Sequence, residues 1–114
     1  MNKSNNKQRN EPMDSYTKPN WTPLEDLHKL FPELFSMDDF MWMGTTNGIE
    51  AYKHRLARGH INIDSNGDFW KYTNLQGAGG GGKYGYVRIS DIEASSDLYK
   101  MNELQQQFDT KHGV

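Results

Sequence analysis

The sequence predicts an α+β fold: an N-terminal helix, an antiparallel meander of about five strands, and a C-terminal helix. Two Asn-Gly pairs, Asn47-Gly48 and Asn66-Gly67, each lie between runs in which apolar and polar residues alternate. Both central residues of a tight hairpin turn need positive φ, which Asn and Gly adopt at little cost, so each pair marks a two-residue β-hairpin. On either side the period becomes helical, with Leu24, Leu27, Leu30 and Phe31 before the strands and Leu98, Met101, Leu104 and Phe108 after them.

Residues 1–20 are expected to form a disordered leader. Their clearly apolar side chains are Met1, Met13 and Tyr16 alone, too few to offset the entropy of ordering. Residues 21–109 then form one α+β domain, and 110–114 fray. Thr22 has the character of a helix cap, Pro23 suits the first helical position, and Glu25 stands three residues after the cap. Pro32 ends this helix, and Ser36 to Asp39 offers a further turn.

In the first hairpin a two-residue loop puts Thr46 opposite Ile49, hence Met43 opposite Tyr52 and Trp42 opposite Lys53. One face then shows Phe40, Trp42, Ile49 and Ala51, the other Met41, Met43, Tyr52 and His54. The first is assigned to the core. In the second hairpin Ser65 faces Asp68, Ile63 faces Trp70 and Ile61 faces Tyr72, making those four apolar residues a core face. His60, Asn62, Asp64, Lys71 and Thr73 take the opposite face, with Phe69 its one apolar member. After a glycine-dense loop, Tyr84 to Ile89 resumes alternation, with Val87 and Ile89 on one side and Tyr84, Tyr86 and Arg88 on the other. Ser90-Asp91-Ile92-Glu93 has capping-box form and opens the last helix, unless Ser95 or Ser96 caps it later.

Composition excludes several function classes. There is no cysteine, which removes disulfides and thiol chemistry. The start of the chain has no apolar run of signal-peptide type, and no stretch is long enough to span a membrane, so a cytoplasmic protein without a membrane partner is expected. Net charge is −2, but it is segregated: residues 49–89 are basic, and acidic segments flank them. That pattern fits either mutual neutralisation or a basic sheet face turned towards an anion.

The motifs argue mostly against chemistry. Gly77-Ala78-Gly79-Gly80-Gly81-Gly82-Lys83 has most of a phosphate-loop pattern, yet Tyr84 replaces the hydroxyl residue and a strand follows where a helix is needed. These glycines are expected to be a flexible loop, with a small-ligand or nucleotide-signal site beneath it as one alternative. Asp64-Ser65-Asn66-Gly67-Asp68 has the acidic spacing of a calcium loop but the glycine comes too early, so a turn is expected. His54 and His60 flank one connection without the spacing of a zinc site. No metal, cofactor or catalytic residue is expected, and the protein is read as non-enzymatic.

Asp39-Phe40-Met41-Trp42-Met43-Gly44, Tyr52-Lys53-His54-Arg55, Ile61-Asn62-Ile63-Asp64 and Gly67 resemble a group of small uncharacterised bacterial proteins over the middle third of the chain. Where those proteins tend to carry a Thr-Arg-Arg-Tyr-like run, this chain has Ala57-Arg58-Gly59-His60. The resemblance implies a compact β-rich domain and no activity.

Two binding functions remain. The leading expectation is a protein-binding domain, its partner another protein or a second copy, with Met41, Met43, Tyr52 and His54 as interface residues. An accessory protein of a phage or mobile element is one form of it. The alternative is a module for single-stranded nucleic acid, using Lys53, Arg55, Arg58, His60, Lys71, Lys83, Tyr84, Tyr86 and Arg88, since interleaved cations and rings suit phosphates and bases.

Overall fold

Thr22–Leu30 forms α1, and a 3-10 turn over Met37–Asp39 leads into five strands: β1 Phe40–Thr46, β2 Ile49–His54, β3 His60–Asp64, β4 Phe69–Asn74 and β5 Tyr84–Ile89. Asp91–His112 forms α2. The computed structural model describes residues 18–76 and 82–113. Most of the expected leader, and Gly77, Gly79, Gly80 and Gly81 of the expected flexible loop, lie outside the described residues. The strands pair in chain order as an antiparallel meander, so the α+β architecture is the one the alternating runs dictate.

The first turn is the expected one: Asn47 and Gly48 have φ of 51° and 80°, and Thr46 stands opposite Ile49. The register then shifts by one residue between Trp42 and Gly44, so that Trp42 pairs with Tyr52 and Phe40 with His54. Met43 is the extra residue of a β-bulge, and Gly44 supplies the φ of 132° that accompanies it. The bulge overturns the expected facing. Tyr52 and His54 join Phe40 and Trp42 on one side, while Ile49 and Ala51 join Met41 on the other.

The second hairpin departs sooner. Its loop has three residues, with Asp64 N–H donating to the Asp68 carbonyl and Gly67 N–H to that of Asp64. Gly67 has φ of 83°, the left-handed residue that closes a type I turn with a bulge. Ile63 therefore pairs with Phe69, and Asn62 with Trp70. A slip of one residue moves a whole strand's side chains to the other face. Phe69 enters the core, and Trp70 and Tyr72 leave it.

Both helices pack on the same face of the sheet. The core there joins Leu24 of α1, Phe35, Phe40, Tyr52, Ile61, Ile63 and Phe69 to Ala94, Leu98 and Met101 of α2. α1 begins one residue earlier than expected: Trp21 is its N-cap without a side-chain cap bond, and Asn20 Oδ1 accepts from Thr22 N–H at 3.2 Å. Ser90 caps α2 by accepting from Glu93 N–H at 3.0 Å, and the helix continues to His112. Of its apolar stripe, Leu98 and Met101 are buried while Leu104 and Phe108 stay exposed.

Two polar groups are built into the helix side. Glu50 is buried, and its carboxylate accepts from Trp42 Nε1 at 2.8 Å, Thr45 Oγ1 at 2.6 Å and Asn20 Nδ2 at 3.1 Å. Three donors offset the loss of water around the charge. Tyr52 donates its hydroxyl to the Asn20 carbonyl at 2.6 Å and stacks on Trp21. Burial, then the neighbouring Glu50 charge, pushes the Tyr52 pKa well up. These bonds fix where the chain enters α1.

Candidate aromatic binding face

With both helices on one side, the opposite face of the sheet carries no helix among the described residues. Alternation puts Trp70, Tyr72, Tyr84, Tyr86 and Arg88 on it, beside Met41, Lys53 and His60 of the first three strands. Tyr72 and Tyr84 are 58% and 55% exposed.

Cross-strand pairing organises this surface. Trp70 is opposite Arg88, and Tyr72 opposite Tyr86. Tyr72 stacks on Tyr84 with centroids 5.9 Å apart and meets Tyr86 edge-on at 5.1 Å. The Arg88 guanidinium lies 5.8 Å from the Trp70 ring centroid and 3.3 Å from an Asp68 carboxylate oxygen. Trp70 Nε1 donates to Asp64 Oδ2 at 2.9 Å, and the other Asp64 oxygen accepts from Asn66 and Asp68 N–H. Burial alone would raise the Asp64 pKa, but the indole and amide donors, with the Arg88 charge, hold it below the usual carboxylate value. The acidic hairpin that looked like a calcium loop is thus a turn whose carboxylate locks the tryptophan.

The tyrosines wall a depression of about 440 Å³, with Thr46 and Asn47 of the first turn on its far rim and the buried Ile49 in its lining. Comparison with protein-family models, with curated proteins and with solved structures finds no match to this chain. The functional reading therefore rests on the geometry.

The structure sorts the residues expected from sequence. Met41 and Met43 are accessible at the β1 edge, Met43 at 54%. Tyr52 and His54 are buried at 0% and 1%, so the bulge removes both from any open surface. His54 Nδ1 accepts from Leu56 and Ala57 N–H at 3.1 and 3.0 Å, holding the bend after β2. Burial depresses its pKa, against the opposing pull of Asp39. His60 lies on the uncovered face beside Lys53, and burial and that charge depress its pKa too.

Of the cations expected to bind phosphates, Lys53 and Arg88 share this face. Arg55 instead donates Nε to the Asp38 carbonyl at 2.7 Å. Lys71 points to the helix side and meets Glu93 at 3.3 Å. Lys83 adjoins β5, its carbonyl accepting from Leu75 N–H, and Arg58 sits in the bend between β2 and β3. Sequence reasoning missed Trp70 and Tyr72. The signal available was Phe69, an apolar misfit on an otherwise polar face. Among the described residues no group of three or more His, Asp or Glu is placed to hold a metal ion.

Proposed function

We propose that this domain binds another protein through the uncovered sheet face, with Tyr72, Tyr84, Tyr86 and Trp70 as the contact centre. The observation carrying the reading is an aromatic cluster, fixed by its own ring contacts and by the Asp64 bond, on the side that no helix among the described residues covers. Tyr and Trp are the residues that dominate the centres of protein interfaces. Pre-ordering also favours binding, since side chains already held lose less entropy on contact.

Details of the face favour a polypeptide over single-stranded nucleic acid. Phosphate binding needs free cations, whereas Arg88 is engaged by Asp68 and Trp70. Asp64 adds negative charge on the same side.

The test uses Tyr72→Ser/Tyr84→Ser, with Leu30→Ser/Phe31→Ser as a control at exposed positions of α1 and its C-terminus. Light scattering on the purified chain reads self-association, and a purified captured partner is titrated against each variant. Loss of the complex with the tyrosine variant alone supports the reading. Equal binding by all three proteins, or salt-sensitive binding to a short single strand with no protein complex, refutes it.

A further inference from the structure

The sheet is forked. Pairing between β3 and β4 ends at Asn62 and Trp70, where the buried Asn62 amide donates Nδ2 to the Trp70 carbonyl at 3.1 Å. Beyond that rung Ile61 and His60 stay with β2, while Lys71 and Tyr72 follow β5. A cavity of about 770 Å³ occupies the fork. Because it passes between strands, both faces of the sheet line it: Ile61, Phe69 and Met101 from the helix side, Trp70, Tyr72 and Tyr86 from the uncovered side.

Its charge is one-sided. Arg58, Lys71 and Lys100 line it beside the His60 imidazole, and Asp97 is the one acidic residue among the described lining. Lys71 is engaged by Glu93. Arg58 and Lys100 are exposed and form no ion pair with another described residue. Arg58 also has φ of 59°, a left-handed conformation that costs a non-glycine residue energy and that concentrates at functional sites. Its neighbour Gly59 packs so closely on Met101 that an added Cβ would come within 2.5 Å of the methionine methyl. The bend is therefore held against α2 with an arginine in a position that glycine would fill more easily.

We propose that the fork is a binding site for a mononucleotide-sized phosphate ester of a planar aromatic ring. Arg58, Lys100 and His60 receive the phosphate, and the ring lies against Trp70, Tyr72 and Tyr86. A cavity of roughly 300–1,000 Å³ is the usual size for such ligands, and a rim of free cations beside aromatic walls matches the two halves of the molecule. The site shares Trp70, Tyr72 and Tyr86 with the proposed protein contact centre, whereas Arg58, His60 and Lys100 belong to the fork alone.

The test is calorimetry and thermal unfolding of the full chain with AMP, UMP and FMN, against adenosine and inorganic phosphate, each of which lacks one half. At least one nucleotide is expected to bind saturably and raise Tm, with both half-ligands about tenfold weaker or more. Arg58→Gly relieves the backbone, so Tm of the free protein is not lowered, while affinity drops about tenfold through loss of a charge-assisted contact. Lys100→Ala weakens binding likewise. The proposal is overturned by no binding of any nucleotide, by phosphate alone binding as tightly, by unchanged affinity in a variant carrying both Arg58→Gly and Lys100→Ala, or by binding of an oligonucleotide only.

Discussion

The second hairpin makes Phe69 a core residue and Tyr72 a surface residue, and paired substitutions measure that difference. Phe69 is 7% exposed and packs with Ile63, its cross-strand partner, in the core cluster. Truncating a buried phenylalanine to alanine removes its transfer free energy and leaves a cavity, together about 3–5 kcal/mol. A small domain has about 5–15 kcal/mol in all, so Phe69→Ala takes a large share, and Phe69→Leu provides a gentler step along the same axis. Tyr72 is more than half exposed, and its loss removes ring contacts with Tyr84 and Tyr86 worth about 0.5–1.5 kcal/mol. Urea unfolding followed by tryptophan fluorescence gives both values. A two-residue turn would exchange the two roles. If Tyr72→Ala costs more than Phe69→Ala, the three-residue loop and the open aromatic face are both wrong.

Acid should destabilise the fold through its histidines. The folded pKa values of His54 and His60 lie below the ordinary 6.5, so the unfolded chain takes up protons first. Their contribution is complete above pH 6.5 and is lost as pH falls from there through the folded values. Asp39, whose pKa burial raises above 3.8, acts in the opposite sense in the lower range, stability falling as pH rises through its titration. Urea midpoints from pH 7.5 to 5 should therefore decline, and His54→Gln should flatten the decline; an unchanged slope would mean that burial does not depress the His54 pKa. Gly44→Ala should cost about 1–3 kcal/mol although nothing lies within 4 Å of the added methyl. A cost no greater than at an ordinary strand position would remove the bulge from the account.

Alternation, helical spacing and turn chemistry were enough to place both helices and all five strands. They could not count the residues in a loop. Asn66-Gly67 signals a hairpin, yet Asp64 bonds Asn66 and Asp68 N–H and pulls the closing pair outward by one residue. That single step carries Trp70 and Tyr72 to the open side. Met43-Gly44 is the same lesson in β1: glycine inside a strand marks a bulge, and reading through it sent Tyr52 and His54 to the wrong face. Tyr84, Tyr86 and Arg88 were legible because β5 contains no such irregularity. The fork was beyond sequence, since it arises from strand divergence after Asn62 and from α2 packing on Gly59, both long-range events.

Hydroxyl-radical footprinting, read residue by residue in the free domain and in its complex, tests the open face most directly. Tyr72 and Tyr84 should be modified in the free protein and protected by the partner, with Tyr52 unmodified throughout. Modification of Tyr52 to the same extent as Tyr72, or tyrosines 72 and 84 equally reactive with and without the partner, would contradict it.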